Sequence, residues 1–291
     1  MNEGWRTGGG TRPASPDLLR AITFDFGNTL VPVTRAALGG VVETLASAVA
    51  DRLAVDRAGF LAAWDEERAR QLREDVPAFR ELDLDVRMVR ILARLRGMEP
   101  PPDALPWDDA VAAARSDPAE IDWAVGVYSD VFVARLPPDP AVGPLLARLA
   151  RRHVLAVLSN WPLASTIDRY VERAGWAPHL AAVVVSQRVG VIKPHPGIFR
   201  AAEEALAAAV DPGPAGVQDG AFAPASILHV GDDPAADVEG AQAAGWRAAL
   251  VRSRPPDSPL PELSPVGAVK PDLVLDRLLD LEPALALLGC R

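Results

Sequence analysis

Five short apolar runs alternate with segments of helical periodicity in the second half of this sequence. Near-continuous apolar strands that alternate with helices are typical of a parallel sheet covered by helices on both faces. The runs occupy residues 153–159, 181–186, 226–231, 247–252 and 272–275. The sequence therefore predicts an α/β fold built on a parallel sheet.

A sixth apolar run, at residues 21–25, precedes the other five, and a segment of about a hundred residues with a different pattern lies between them. Residues 35–135 have helical periodicity, broken at "MEPPPDALP" and "SDPAE", which predicts four or five helices and no strand. We therefore expect the sheet domain to be split by a helical insertion.

The predicted organisation has a tail, a split α/β core, a helical insertion and two surface loops. Gly/Pro-rich or polar composition without a period predicts the tail and the loops. The tail is residues 1–18, the core 19–34 and 137–291, the insertion 35–136, and the loops 211–226 and 253–272.

Composition narrows the classes of partner. A net charge of −9 gives no electrostatic reason to bind nucleic acid or an anionic membrane. The apolar runs are far shorter than the roughly 18 residues that a membrane-spanning helix needs, and no signal-peptide pattern is present. The single cysteine, Cys290, cannot form an internal disulfide. We expect a soluble, cytoplasmic protein that acts on a small molecule, and the sequence leaves its oligomeric state open.

Polar residues follow several of the predicted strands at the point where each strand ends. Because the carboxyl ends of parallel strands meet at one edge of a sheet, these side chains are expected to share a crevice. They are Asp25, Ser159, Asn160, Lys193, Asp232, Asp233 and Asp237.

This set of side chains suits phosphoryl transfer. Asp25 could act as a covalent nucleophile, and Asp25 with Asp232 offers the oxygen ligands that Mg²⁺ prefers. Ser159 and the amides of the turn after Asp25 could hold phosphoryl oxygens, and Lys193 could neutralise charge. Taken one by one, each residue is explained as well by a turn or a cap. Their order and their common place at strand ends favour the functional interpretation.

Four segments resemble the four motifs of the haloacid dehalogenase superfamily, in the same order: "FDFGNTL", "VLSNW", "GVIKPHPGIF" and "HVGDDPAADVEGAQAAGW". The helical insertion is similar to that family's cap domain. The resemblance covers nearly the whole chain beyond the tail, and it implies a Rossmann-like core with an all-α cap.

The resemblance implies a role for each matching residue. Asp25 would be the nucleophile, Thr29 would steady its turn, Ser159 would bind the transferred group, and Lys193 would pair with the nucleophile. Gly27, Asn28 and Asn160 would lie against the substrate. Mg²⁺ would be held by Asp25, the backbone carbonyl of Gly27 and Asp232, with Asp233 as a less certain ligand and Asp237 orienting Lys193 or the ion's surroundings.

The sequence departs from the family's phosphatases at Gly27, where those enzymes carry a second aspartate that serves as general acid and base. Such a group is worth roughly 10² to 10⁴ in rate, so its loss matters most for poor leaving groups. A phosphohydrolase fits this departure if it acts on a good leaving group, such as an acyl phosphate or an anhydride, or if the cap or the substrate supplies the acid. Replacing Gly27 by aspartate should then raise activity on alkyl phosphates.

Three alternatives compete with that interpretation. A dehalogenase also lacks the second aspartate, but such enzymes typically lack the Gly231-Asp232 pair kept here. A phosphonatase-like enzyme needs a lysine from the cap, and residues 35–135 contain none. A catalytically weak relative that binds a phosphorylated ligand would not need the nucleophile. Mg²⁺-dependent hydrolysis of a phosphate ester or anhydride ranks first, and dehalogenation second.

Residues outside the four motifs carry weaker signals. A solvated helix face explains any one of four arginines in the insertion at least as well as a role in binding an anionic substrate. These arginines are Arg35, Arg68, Arg70 and Arg73. His195 could supply a proton but is better explained as a helix-start residue, and Trp161 could wall the pocket or pack beneath the cap.

Overall fold

The computed structural model describes residues 19–81, 83–103, 105–209, 222–267 and 270–288. The predicted tail, most of the predicted loop at 211–226, and Cys290 lie outside these residues. Within the described part of the chain, no helix is both long and apolar enough to cross a bilayer.

Six parallel strands form one sheet in the order β3-β2-β1-β4-β5-β6. They are β1 (Ala21–Phe24), β2 (Val154–Ser159), β3 (Ala182–Val185), β4 (Ile227–Gly231), β5 (Arg247–Val251) and β6 (Leu273–Leu275). Each corresponds to one of the six apolar runs, so the predicted α/β fold with a parallel sheet is confirmed.

Five α-helices follow β1 in the described part of the insertion, as the periodicity predicts. They are α1 (Arg35–Leu53), α2 (Arg57–Glu74), α3 (Leu84–Leu95), α4 (Asp109–Ala113) and α5 (Pro118–Arg135). Capping residues set several of the helix starts: Thr34 accepts a hydrogen bond from Ala37 N at α1, and Asp117 forms a capping box with Glu120 at α5. The segment also contains one isolated antiparallel bridge, from Arg80 to Val191, which the sequence did not predict.

The remaining α-helices cover the two faces of the sheet. They are α6 (Val142–Leu149), α7 (Ala164–Arg173), α8 (Ser186–Val189), α9 (Pro196–Ala208), α10 (Gly240–Ala243) and α11 (Leu281–Leu288). A π-helical turn, Pro234–Glu239, runs directly into α10. The apolar side chains of the strands are buried against these helices because both faces of a parallel sheet must be covered.

Aromatic packing fixes the turn that follows β1. The Phe26 ring lies 5.1 Å from the Tyr170 ring and 5.7 Å from the Trp161 ring, both in edge-on contacts. Phe132 of α5 contacts Phe26 and Trp161 from the helical segment, at 6.4 and 5.1 Å. The turn is therefore held between the core and the insertion by buried aromatic side chains, which contribute large apolar areas.

Candidate active site

Asp25 lies directly after β1, at the carboxyl edge of the sheet. Its backbone N–H donates to Val230 O at 2.9 Å, which ties it to β4. Because β1 pairs with β2 on one side and β4 on the other, the ends of both neighbouring strands flank this carboxylate. Asp25 itself is buried. The expected meeting of polar strand ends is therefore present around this residue.

Lys193 reaches Asp25 from the loop before α9. Its ammonium donates to Asp25 Oδ1 at 2.8 Å, to Asp237 Oδ1 at 2.7 Å and to Leu158 O at 2.8 Å. The side chain is only 1% exposed, so water does not compensate its charge. Three well-placed acceptors are what a buried ammonium requires. Lys193 is thus paired with the candidate nucleophile, as the resemblance implied.

Asn160 holds the backbone of that lysine. Its Oδ1 accepts from Lys193 N at 2.7 Å, and its Nδ2 donates to Lys193 O at 3.1 Å. Both polar atoms of the amide are therefore engaged with this loop. Asn160 therefore orients Lys193. It also lines the cavity beside Asp25, so its predicted contact with the substrate stays a prediction.

Asp237 accepts hydrogen bonds from three directions. Besides Lys193, His229 Nε2 lies 3.0 Å from Oδ1, and Asp233 N donates to Oδ2 at 2.9 Å. Burial opposes its ionisation, but Lys193 and His229 outweigh burial and hold the pKa of Asp237 well below its usual range. Asp237 is therefore a fixed anion that orients Lys193.

His229, a residue that was not predicted from the sequence, completes this group. It is fully buried in β4, with Nδ1 2.8 Å from Thr23 Oγ1. Burial, together with the nearby Lys193, lowers its pKa, so the imidazole is neutral at physiological pH. A single polar residue within an apolar strand was the signal that could have identified it.

Asp232 follows β4 and faces Asp25. Carboxylate oxygens of Asp25, Asp232 and Asp237 lie within 4.8 Å of one another. Asp232 Oδ2 accepts from the Arg254 guanidinium at 2.7 Å, and Oδ1 accepts from Thr29 Oγ1 at 3.3 Å. The predicted turn-steadying residue thus also contacts the candidate metal ligand.

The two facing carboxylates are both difficult to ionise. Burial raises the pKa of Asp25 to about 6, against the opposing effect of Lys193. Burial and the neighbouring Asp25 raise the pKa of Asp232 to about 7. When all four are ionised, Asp25, Asp232, Asp233 and Asp237 outnumber Lys193 and Arg254, the cations that contact this group within the described residues, by two charges. A divalent cation would neutralise that excess, so the residues present fit one.

Asp233 has a different set of contacts. Its Oδ1 accepts from the backbone N–H groups of Ala235 and Ala236 at 2.8 and 2.9 Å, which caps the π-helical turn. Its Oδ2 accepts from Leu263 N at 2.9 Å. The carboxylate predicted as a less certain metal ligand is therefore engaged by backbone amides and lies outside the group of three close carboxylates.

The groups expected to contact substrate include atoms without a partner. Ser159 Oγ and Asn28 Nδ2 are buried and have no hydrogen-bond partner among the residues that the structure describes. Asn28 has a φ of 60°, and its Oδ1 accepts from Val33 N at 3.2 Å. Buried polar atoms normally find partners, so a bound anion would satisfy donors of this kind.

Gly27 faces an apolar side chain. A Cβ atom at this position would lie 2.5 Å from Leu260 Cδ1 and 3.6 Å from Trp161 Cζ3. Leu260 belongs to the segment predicted as a surface loop at residues 253–272. Residues 254–263 of that segment, which we call the strap, contain no helix or strand and are half-buried or exposed, in agreement with the predicted surface loop. They lie across the end of the sheet through hydrogen bonds to Asn28, Asp232 and Asp233.

Several hydrogen bonds fasten the strap. Ser258 Oγ donates to Asn28 Oδ1 at 3.2 Å, and Arg254 donates to both Asp232 and Leu260 O, the latter at 2.6 Å. From the insertion, Arg68 donates to Pro259 O. These contacts could not be predicted from the sequence, because a proline-rich loop carries no periodic pattern.

A cavity of about 480 Å³ lies beside Asp25 and extends among residues of the helical insertion. Two of the four candidate arginines, Arg35 and Arg68, line it. Arg70 instead donates to Pro101 O at 2.9 Å, and Arg73 pairs with Asp103 at 3.1 Å.

Trp161 and His195, the two remaining candidates, each have defined contacts. Trp161 is buried at 3% exposure and lines the cavity while packing on Phe26, so both of its expected roles are present. His195 precedes α9, where its Nδ1 accepts from Gly197 N at 3.1 Å. His195 is a helix cap, in agreement with the simpler of the two interpretations.

The sheet carries a buried Asp–Lys pair at the end of β1 and a second carboxylate, Asp232, at the end of the neighbouring β4. This is the arrangement that the four motifs imply, that of the haloacid dehalogenase class of hydrolases. The chain belongs to the haloacid dehalogenase-like hydrolase family, which its residues 19–245 match. The resemblance carried by the four motifs is therefore confirmed.

Similar proteins include both phosphatases and dehalogenases. A phosphoserine phosphatase of Thermus thermophilus is 37% identical over 134 residues, which are 45% of this chain and 47% of the relative. The match thus spans about half of that relative's length. A glyceraldehyde 3-phosphate phosphatase of Methanopyrus kandleri is 27% identical over 81% of this chain and 84% of its own. The crystal structure of a 2-haloacid dehalogenase from Pseudomonas syringae superposes with a TM-score of 0.62 at 25% identity, over 93% of this chain and 99% of that chain.

Proposed function

We propose that the chain is a Mg²⁺-dependent phosphohydrolase that acts on a small phosphorylated metabolite with a good leaving group. The observation that carries the proposal is the 2.8 Å contact between Lys193 and Asp25, with the Asp232 carboxylate facing the same nucleophile. Similarity to two phosphatases supports the choice of phosphoryl transfer.

Asp25 is the nucleophile in this proposal. Its ionised Oδ atom attacks phosphorus, a new O–P bond forms, and the bond from phosphorus to the leaving oxygen breaks. Water then attacks the acyl phosphate and releases inorganic phosphate, which restores the Asp25 carboxylate. Lys193 offsets the charge beside Asp25, and the unpartnered Ser159 Oγ is free to donate to a phosphoryl oxygen.

Asp25 and Asp232 would hold the magnesium ion, with the backbone carbonyl of Gly27 as the further ligand implied by the family resemblance. Asp237 is committed to Lys193 and His229, so its role is to orient Lys193. When bound, Mg²⁺ would neutralise charge on the carboxylates and on the phosphoryl oxygens. Asp233 shapes the loop in this assignment and is not a ligand.

The leaving group departs without help from position 27. Gly27 has no side chain, and its neighbour Leu260 is apolar and cannot donate a proton. An acyl or aryl phosphate, or an anhydride, needs no strong general acid because its leaving oxygen is weakly basic. The substrate class follows from this local environment.

Residues 35–136 would act as the cap that encloses the substrate. The cavity is lined from the insertion by Arg35, Arg68 and the aromatic side chains of Trp64 and Tyr128. Its volume is within the usual range for small-molecule sites, and its cations suit an anionic substrate. We assign substrate selection to these residues.

A 2-haloacid dehalogenase activity is the second candidate. The absence of an acid at Gly27 favours it, since halide leaves without a proton, and so does the structural similarity to the Pseudomonas syringae dehalogenase. The three carboxylates of Asp25, Asp232 and Asp237, with oxygens within 4.8 Å of one another, argue for a metal-dependent reaction and place this candidate second.

A metal-controlled screen on one preparation tests the proposal. Acetyl phosphate, an aryl phosphate, an alkyl phosphate and 2-chloropropionate would each be assayed with Mg²⁺ and with EDTA. We expect phosphate release from the first two with Mg²⁺ and none with EDTA. Chloride release in EDTA without phosphate release would instead establish the dehalogenase.

A further inference from the structure

Arg254 is the cation of the site that none of the four motifs supplies. It comes from the strap, after β5, and its guanidinium lies 2.7 Å from Asp232 Oδ2. The side chain is 17% exposed and the Asp232 side chain 4%, so the pair is largely shielded from water. A shielded ion pair of this kind interacts much more strongly than a surface pair.

The same guanidinium is bonded to the strap that carries it. Its second nitrogen donates to Leu260 O at 2.6 Å, and Leu260 is the residue that fills the space beside Gly27. Arg254 therefore connects the Asp232 carboxylate to the strap. Glu262, more than half exposed, lies 3.8 Å from Arg254 Nε and is a weaker partner.

We propose that Arg254 and the divalent cation compete for Asp232, so that metal binding and the closed position of the strap oppose each other. This inference rests on the proposed function, since it concerns the metal of that site. The geometry carries it: a ligand carboxylate holds a guanidinium at hydrogen-bond distance, and two cations on one carboxylate repel each other. Arg254 is thus a residue that weakens metal binding and keeps the site covered until metal arrives.

Calorimetric titration of the wild-type protein and two variants with Mg²⁺ tests the competition directly, without an activity assay. We expect Arg254→Gln to bind Mg²⁺ about tenfold more tightly, because a neighbouring like charge has been removed. Arg252→Gln is the matched control, since it removes the same charge from an exposed residue two positions away. Its affinity should stay within about twofold of wild type, as screened surface charges contribute little.

Each other outcome of the titration overturns the inference. Equal affinity in wild type and Arg254→Gln would show no competition, and weaker binding would make Arg254 a positioning residue for Asp232. If both variants bound Mg²⁺ more tightly than wild type by the same factor, the change in net charge alone would explain the effect. If none of the proteins binds Mg²⁺, the metal dependence in the proposed function fails, and this inference fails with it.

Hydrogen exchange on the wild-type protein tests the same competition if Arg254→Gln does not fold. Leu263 N donates to Asp233 and Leu260 N to Ser258 Oγ, so amides of the strap report its closed position. With saturating Mg²⁺ we expect peptides covering residues 258–263 to exchange about threefold faster or more, because the bond from Arg254 to Asp232 is lost. Unchanged or slower exchange in metal-bound protein would contradict the competition.

Discussion

Leu260 occupies the space beside Gly27, and its Cδ1 would lie 2.5 Å from a Cβ atom at that position. The missing side chain at Gly27 and the position of Leu260 therefore depend on each other, because one residue fills the space that the other leaves open. The family's phosphatases place a carboxylate here, whereas this chain places an apolar side chain from a distant segment. Position 27 therefore has no proton donor, and Leu260 occupies the room that a side chain at this position would need.

This relationship changes what Gly27→Asp should do. The single variant must push the end of the Leu260 side chain aside, so we expect a gain of less than about threefold on alkyl phosphates. Gly27→Asp combined with Leu260→Ala restores both the acid and its space. We expect at least about a tenfold gain in kcat/KM on an alkyl phosphate, relative to Leu260→Ala alone. Steady-state kinetics of the three variants and wild type would measure it.

The outcome also separates two explanations of the missing acid. Equal rates for the double variant and Leu260→Ala, in protein that still binds Mg²⁺, would mean that another group already protonates the leaving oxygen. A gain in the single variant as large as that in the double variant would show that Leu260 moves freely and places no restriction on the site.

Asp25→Asn should reduce turnover by about three orders of magnitude or more, because the amide oxygen is a poor nucleophile. The variant keeps the size of the side chain, and Lys193 keeps Asp237 and Leu158 O as acceptors, so folding should be preserved. Asp130→Asn, on the exposed surface of α5, is the control and should be fully active. Phosphate release measures both, and near-wild-type activity of Asp25→Asn would remove this residue from the nucleophile role.

The chain's two lysines provide a matched pair for stability. Lys193→Met leaves the buried Asp25 and Asp237 without their shared cation, which should cost about 3–5 kcal/mol in the free energy of unfolding. Lys270 is exposed, so Lys270→Met should change that free energy by less than about 0.5 kcal/mol. Urea unfolding of both variants measures the difference. Comparable losses would mean that the Lys193 ion pairs do not stabilise the fold.

The sequence predicted the strands and the strand-end residues because both depend on local patterns. Apolar runs mark β1 and β4, and polar residues at their ends place Asp25 and Asp232 at one edge of the sheet. Arg254 could not be predicted in this way. Its contact with Asp232 joins a loop without periodicity to a strand end 22 residues earlier, and its place depends on how the strap packs. Contacts of that kind arise only from the tertiary structure.

His229 illustrates the same limit within a correctly predicted strand. The run "SILHVG" predicts β4, but alternation alone does not reveal that the imidazole lies 3.0 Å from Asp237. The roles of Asn160 and Asp233 were also beyond the sequence, because a motif identifies a position without the partners that surround it. Asn160 is used by the Lys193 backbone, and Asp233 by the amides of a helical turn.

Magnesium binding should strengthen with pH through the range from about 6 to 7. The pKa values of Asp25 and Asp232 are raised to about 6 and about 7, so below that range the folded protein holds protons that the ion must displace. The same shifts mean that the folded state binds more protons than the unfolded chain above the ordinary value of 3.8. In metal-free protein these two groups therefore lower the free energy of unfolding as pH rises from 3.8 to about 7.

The rise in melting temperature on adding Mg²⁺ should accordingly be larger at about pH 8 than at about pH 5. Thermal unfolding with saturating Mg²⁺ and with EDTA at both values measures it, and an equal rise would show that neither carboxylate is protonated before the ion binds.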